Sequence, residues 1–260
     1  MKLQLVPART GPLWMRQGMR VFWRQPIALS GLFFMFMGLM TIISLFPLVG
    51  GVLAMLIFPA CSLGLMAATR EALQGRFPMP RLLLVGLMGQ AARRQQMIWL
   101  GAFYVLGFCA VLALSALADG GDFARLYLGG SVNGRLDQST VEQSEFQLAV
   151  LVCLMLYIPL SALFWHAPAL VHWHGVPAVK SLFFSLMACL GNWRAMLAFI
   201  AAWAGVYIAM GSALLILSAL LDAPSLLGWG FMPLMFLLTA MFFCSGYFTF
   251  RDSFQNEVLA

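Results

Sequence analysis

The residues of this chain with the richest potential chemistry are its histidines, which all fall in one short segment: His166, His172 and His174. Imidazole nitrogens bind Zn²⁺ and Cu²⁺, and Pro168 and Gly175 could bend the backbone enough to bring them together. No Asp, Glu or Cys lies nearby in sequence to complete a coordination shell, however, and the spacing fits no standard zinc motif. Trp165 and Trp173 lie beside these histidines and are typical of a membrane–water interface. We therefore predict a rim that contacts lipid headgroups, with metal binding as the weaker alternative.

Acidic side chains that could hold Ca²⁺ concentrate in one loop: Asp119, Asp122, Asp137, Glu142 and Glu145. They lack the 1-3-5 spacing and the terminal glutamate of a calcium loop, so a solvated acidic loop is the favoured interpretation. Nothing in the chain resembles a nucleophile elbow, a phosphate-binding loop or a paired-carboxylate site. We expect neither enzymatic activity nor a cofactor.

Composition defines the class of protein that must position these residues. Of the 260 residues, 62% are hydrophobic and only 9% are charged, whereas soluble domains carry about 25% charged residues. The excess of apolar surface requires lipid as its solvent. The net charge of +6 does not indicate nucleic-acid binding, because the basic residues lie at the ends of the apolar runs, where anionic headgroups attract them.

Six apolar runs are long enough to cross a bilayer, whose hydrocarbon core of about 30 Å needs roughly 20 residues of helix. We therefore predict an all-α polytopic membrane bundle, in which spans 1 and 2 form a hairpin around the tight turn Pro47–Gly51. The predicted spans cover residues 27–46, 48–68, 97–118, 147–170, 196–221 and 229–250.

Basic residues fix the orientation of these spans. All but two of the fifteen Lys and Arg fall on one side, and the exceptions, Arg125 and Arg135, lie in the acidic loop. Because cytoplasmic loops carry the excess of Lys and Arg, both termini are predicted to be cytoplasmic in a multi-pass protein of the bacterial inner membrane. The expected single membrane domain, 1–260, comprises a basic amphipathic segment 1–26, spans 1–3 in 27–118, an external acidic loop 119–146, spans 4–6 in 147–250 and a cytoplasmic tail 251–260.

A stretch that opens near a proline and ends in a basic turn precedes spans 1, 3 and 5, which predicts three units of surface helix plus transmembrane hairpin. In the first stretch, Arg16, Arg20 and Arg24 stack at i, i+4 and i+8 opposite Trp14 and Phe22. This pattern is typical of a helix in the headgroup plane, with cations toward phosphate and aromatics toward acyl chains. A topology anchor with no other task is the alternative. The residues expected to contact headgroups are Arg16, Arg20, Arg24, Arg93, Arg94, Lys180 and Arg194.

The interior of the spans offers little polar chemistry. No Asp, Glu, Lys or Arg falls well inside any span, whereas ion-coupled carriers usually keep an ionisable group near the bilayer centre. Small residues at four-residue spacing predict that spans 2 and 5 occupy the bundle centre. They are Ala60, Gly64 and Ala68 in span 2, and Ala201, Gly205 and Ala209 in span 5. A transported solute would find only a hydroxyl lining: Thr41, Ser44, Ser62, Ser115, Ser161, Ser212, Ser218, Thr239 and Ser245.

Three segments carry a resemblance to a known family: Leu3–Gly11 (LQLVPARTG), Phe22–Gly31 (FWRQPIALSG) and Gly64–Glu71 (GLMAATRE). With them the chain resembles, over its full length, an uncharacterised family of small six-span inner-membrane proteins of Gram-negative bacteria. A weaker similarity, at Ala167–Leu170 and Gly175–Ser181, reaches the membrane domain that accompanies some glycerophosphodiester phosphodiesterases. The catalytic barrel of those enzymes has no counterpart in this sequence, so the similarity implies no phosphodiesterase activity.

Together these features predict a non-enzymatic integral membrane protein that binds lipids, including anionic phospholipids, or scaffolds a membrane-protein partner in the envelope. The alternative is a transporter or permease component for a neutral or lipid-like solute. A membrane-embedded enzyme centred on the histidine segment is a third, weaker hypothesis.

Overall fold

The computed structural model describes residues 2–47, 49–128, 143–223 and 225–254. In these residues all regular secondary structure is helical. The α-helices are α1 (Thr10–Phe22), α2 (Pro26–Ser44), α3 (Gly50–Leu73), α4 (Ala91–Asp119), α5 (Asp122–Tyr127), α6 (Ser144–Trp165), α7 (Ala167–His174), α8 (Ala178–Gly191), α9 (Trp193–Leu220) and α10 (Ser225–Ser253), and a 3₁₀ helix (Pro80–Leu84) lies between α3 and α4.

Six helical segments are long and apolar enough to cross a bilayer, which confirms the predicted polytopic bundle. Five of them are single helices, and α6 and α7 together form the fourth, Ser144–His174. The helices extend beyond several of the predicted spans, because helical hydrogen bonds continue into polar residues at their ends. At the start of α4, for example, the Arg94 N–H donates to the Gln90 carbonyl at 3.1 Å.

The first of two compact units comprises Met1–Leu39, Ala60–Gly89 and Met187–Ala260. Within unit 1, α1 packs along both α9 and α10, which also contact each other. Phe33 of α2 packs against two rings of α10, at centroid distances of 4.8 Å from Phe236 and 5.5 Å from Phe243. Aromatic contacts therefore join α2 to α10 in this unit.

Unit 2 comprises Met40–Pro59 and Gln90–Leu186. In this unit α4 packs along α6, and the buried side chains of Phe108, Val111 and Leu112 on α4 meet Leu160 of α6. Leu160 also lies beside Gly107, where an added Cβ would press on its side chain. The contact between α4 and α6 therefore contains the hydrophobic core of this unit.

A tight corner follows α4 and returns α5 against α4 and α6. Gly120 and Gly121 adopt left-handed φ values of 69° and 98°, which glycine tolerates best. The Asp119 carboxylate accepts the N–H groups of Gly121 and Phe123 at 2.9 and 2.7 Å. The start of the predicted solvated loop is therefore a folded corner. Asp137 and Glu142, which were also predicted in that loop, lie outside the described residues.

The second predicted surface helix is not an α-helix. Its first part is the 3₁₀ helix Pro80–Leu84, and turns follow as far as Gly89, which has a φ of 120°. Pro78 and Pro80 lack the N–H that a helix needs, and glycine is a poor helix former. Gly64 of α3 lets the backbone of this segment approach closely, since a Cβ there would clash with Leu83. The first and third predicted surface stretches are helical, as α1 and α8.

The small residues at four-residue spacing lie on a well-packed helix in α3 but not in α9. Half of the residues in the most apolar 18-residue stretch of α3 are buried, whereas only 6% of the corresponding stretch of α9 is buried. In α9 the buried face carries Phe199 and Trp203, while Ala201 and Gly205 are exposed. Aromatic side chains make more dispersion contacts than a stripe of alanine and glycine, so they form the packed face of α9.

We expect Gly18→Ala to lower the melting midpoint of the detergent-solubilised protein. A Cβ at this position of α1 would lie 2.7 Å from the Cα of Ser245 on α10, and such overpacking costs about 1–3 kcal/mol. Gly31→Ala is the matched control, because nothing lies within 4 Å of a Cβ there and alanine favours a helix by about 1 kcal/mol. Equal midpoints for the two variants would contradict the close packing of α1 on α10.

Candidate functional site

Helix α1 is fixed to unit 1 by its apolar face. The Trp14 side chain is fully buried, contacts Phe199 at a centroid distance of 6.1 Å, and donates its Nε1–H to Asp252 Oδ2 at 2.9 Å. Val21 and Phe22 are also buried. The expectation that the aromatic face meets acyl chains is therefore wrong for Trp14 and Phe22, because α9 and α10 cover this face. Trp23, by contrast, is 60% exposed.

Asp252 holds α1 in place, a role that sequence reasoning did not single out beyond a local salt bridge or cap. Besides Trp14, its carboxylate accepts a hydrogen bond from Arg251 Nε at 2.8 Å. Arg251 in turn donates from Nη2 to Gln17 Oε1 of α1 at 3.3 Å. The only sequence signal was an acidic residue next to an arginine at the end of an apolar span. Two polar side chains of α10 thus anchor α1.

The segment before α1 is held to the same end of unit 1. The Gln4 N–H donates to the Ser253 carbonyl at 3.0 Å. The buried Asn192 side chain accepts from the Val6 N–H at 2.8 Å and donates to the Gln4 carbonyl at 3.0 Å. One amide side chain therefore satisfies two backbone groups of an extended segment, which fixes the entry of the chain into α1.

The exposed face of α1 carries the predicted arginine stripe. Two of its members, Arg16 and Arg20, are exposed on α1 itself, and the third, Arg24, is exposed in the turn after α1 ends at Phe22. Arg24 Nη1 donates to the Leu73 carbonyl at the end of α3, at a distance of 3.4 Å. Among the described residues, Arg16 and Arg20 have no hydrogen-bond or ion-pair partner. Their guanidinium groups are open to an external anion.

The other predicted headgroup residues are exposed as well, and two of them have partners in the chain. In unit 1, Arg194 lies over the Trp193 ring at 5.3 Å from its centroid. In unit 2, Arg93 Nη1 donates to the His172 carbonyl at 3.2 Å, while Arg94 and Lys180 project as exposed side chains. These groups are accessible to anions within their own units.

His166 does not belong to the rim that was predicted to contact lipid headgroups. This side chain is fully buried, at the break between α6 and α7. The Ser185 hydroxyl bridges the break: its oxygen accepts the His166 N–H at 2.9 Å, and its hydrogen goes to the Ala162 carbonyl at 2.7 Å. Only His172 and His174 are partly exposed. Within the described ranges, no three His, Cys, Asp or Glu side chains form a group that could hold a metal ion, so the metal-site alternative lacks the required geometry.

Most of the hydroxyls proposed as a solute lining bond to their own helices. Serine and threonine in helices often donate to the carbonyl three or four residues earlier. Five of the predicted hydroxyls do so at distances between 2.7 and 2.9 Å: Ser44, Ser115, Ser161, Thr239 and Ser245. Their hydrogens are therefore committed to backbone oxygens and cannot be offered to a solute at the same time.

The six spans define the protein as a polytopic helical membrane protein. A comparison with known sequences gives a relative described as a probable inner membrane protein of Burkholderia thailandensis, 36% identical over 256 residues that cover 98% of this chain and 94% of the relative. The chain belongs to the same family and is a multi-pass protein of the inner membrane. No family model and no solved structure matches it. The similarity to the membrane domain of some glycerophosphodiester phosphodiesterases stays a prediction.

We expect Trp14→Phe to lower the melting midpoint, because it removes the hydrogen bond to Asp252 and leaves a partly buried carboxylate oxygen without this donor. The loss of a hydrogen bond to a charged group costs about 1.5–3 kcal/mol. Trp23→Phe is the matched control in the next turn of the chain, since the Trp23 side chain is 60% exposed. A midpoint for Trp14→Phe no lower than that of the control would show that this bond does not hold α1.

Proposed function

We propose that the protein is a non-enzymatic inner-membrane protein that binds anionic phospholipid headgroups through the arginine stripe of α1. The observation that carries the proposal is that α1 is fixed by its apolar face while Arg16 and Arg20 remain exposed on its other face and Arg24 in the turn that follows. The positive-inside assignment places this helix at the cytoplasmic leaflet, whose anionic lipids attract basic residues.

The energetics favour several weak contacts acting together. Each Lys or Arg near an anionic membrane surface contributes about 1 kcal/mol, so the stripe supplies about 3 kcal/mol. Because α1 is already ordered by its contacts with α9 and α10, binding does not have to order the helix, and more of this energy appears as affinity. Arg194 adds a further cation in unit 1.

A scaffold for an envelope partner is a compatible role, because a headgroup-bound protein with exposed cations can also receive an acidic membrane protein. We place transport of a neutral or lipid-like solute second. The hydroxyls that would have lined its path donate to carbonyls of their own helices, which leaves fewer groups to replace the hydration of a solute.

The decisive variant replaces Arg16, Arg20 and Arg24 with Gln. We expect the preference of the protein for phosphatidylglycerol over phosphatidylethanolamine to fall about 10- to 100-fold in this variant. The measurement is native mass spectrometry of the protein released from nanodiscs together with its bound lipids. The loss follows from removing three cations that have no acidic partner. The six spans should remain inserted, because none of these residues lies in a span.

Two controls separate charge from other effects of the substitutions. A triple Lys variant at the same positions keeps the charge and should retain most of the binding. Arg125→Gln removes an exposed arginine that is paired with Asp122 at 3.6 Å on the predicted external side, and should change nothing. An unchanged preference for phosphatidylglycerol in the triple Gln variant would refute the proposal, and a co-purified protein lost with it would favour the scaffold role.

A further inference from the structure

Three of the five tyrosines lie close together in unit 2, on three different helices: Tyr104 of α4, Tyr127 of α5 and Tyr157 of α6. The Tyr104 and Tyr157 hydroxyl oxygens are 3.5 Å apart. The Phe108 ring joins the group, with centroids 5.2 Å from Tyr127 and 6.4 Å from Tyr157. We call these four residues the tyrosine cluster.

Among the described residues, the hydroxyl groups of the tyrosine cluster have one hydrogen-bond contact, between Tyr104 and Tyr157. At 3.5 Å the contact between Tyr104 and Tyr157 is long for an O–H···O bond, which is usually near 2.8 Å. One hydroxyl can donate to the other, and the hydrogen of the second is then left over. Tyr127 has no hydrogen-bond partner among the described residues. In a hydrocarbon environment such unsatisfied donors cost several kcal/mol each.

Tyr104 and Tyr157 lie near the middle of their membrane segments. Tyr104 follows the start of α4 at Ala91 by about 20 Å of helix, and Tyr157 follows the start of α6 at Ser144 by a similar length. The two segments run from Ala91 to Asp119 and from Ser144 to His174. The hydroxyls of this pair therefore belong to the depth at which neither water nor phospholipid headgroups reach, whereas Tyr127 belongs to α5, two residues after the exposed Arg125.

The cluster is also open sideways to lipid and lined by flat apolar rings. Tyr157 and Tyr127 are 36% and 54% exposed, whereas Tyr104 is buried. Behind Tyr104, Phe58 stacks on its ring at 5.3 Å and Phe164 meets it edge-on at 5.0 Å. Aromatic surfaces of this kind bind other flat rings by offset stacking.

We propose that the tyrosine cluster is a binding site for an isoprenoid quinone that enters from the bilayer. This class of molecule combines a flat ring, two carbonyl oxygens that accept hydrogen bonds, and an apolar tail that keeps it in the hydrocarbon. The aromatic walls of the site match the flat ring, its phenolic donors match the carbonyl oxygens, and its lateral opening toward lipid matches the apolar tail. A phospholipid fits less well, because its ester carbonyls lie at the edge of the hydrocarbon core.

The site is independent of the arginine stripe, which belongs to unit 1, so either proposal can fail alone. The test measures equilibrium binding of a short-chain ubiquinone analogue to the full-length protein in lipid nanodiscs, with empty nanodiscs as the partition background. We expect saturable binding by the wild type and a dissociation constant about tenfold higher for Tyr157→Phe, because one donor is removed. Tyr104→Phe combined with Tyr157→Phe should reduce binding to the background.

Tyr207→Phe is the matched control, because it removes a phenolic hydroxyl that is bonded to Thr239 at 2.9 Å in unit 1. It should bind the analogue like the wild type. If the double variant is unfolded, Tyr157→Phe alone decides, since its side chain is partly exposed. Binding that is no greater than that of empty nanodiscs, or equal dissociation constants for Tyr157→Phe and Tyr207→Phe, would overturn the proposal.

Discussion

Hydrocarbon offers no hydrogen-bond partner to a backbone N–H or C=O, and the described architecture follows from that constraint. The spans are helical, and where a helix is interrupted the freed groups find protein partners. Ser185 bridges the break between α6 and α7, and Asp119 satisfies the turn after α4. Most span hydroxyls likewise donate to their own helices.

The fixed position of α1 changes what its arginines can do. A free amphipathic helix binds a membrane through both its apolar face and its cations. Here Trp14 and Phe22 are buried in unit 1, so these two side chains cannot insert among acyl chains, and the proposed affinity depends more on charge. Exposed charges are screened over about 8 Å at physiological ionic strength. Headgroup binding by Arg16, Arg20 and Arg24 should therefore be sensitive to salt, in the manner of an electrostatic contact and not of a hydrophobic anchor.

The six spans and their orientation could be predicted because hydropathy and the placement of Lys and Arg are local properties of the sequence. The docking of α1 could not, because it depends on residues far apart in the chain: Trp14 meets Asp252, and Gly18 meets Ser245. Amphipathicity shows which face of a helix is apolar, but not whether lipid or protein covers it. His166 was misassigned for a related reason, since its side chain is buried and its backbone N–H bonds to Ser185 of another helix.

The same limit explains why sequence reasoning missed both the packed face of α9 and the tyrosine cluster. A stripe of small residues makes close helix approach possible, but Phe199 and Trp203 on another face of α9 form more contacts and determine which face is packed. Tyr104, Tyr127 and Tyr157 look like isolated aromatic residues in the sequence, and only the return of α5 after the Gly120–Gly121 corner brings all three together. Depth then separates the two kinds of site. The proposed headgroup contacts use charged arginines outside the spans, whereas the proposed quinone site uses uncharged phenols, which the bilayer interior tolerates better than charges.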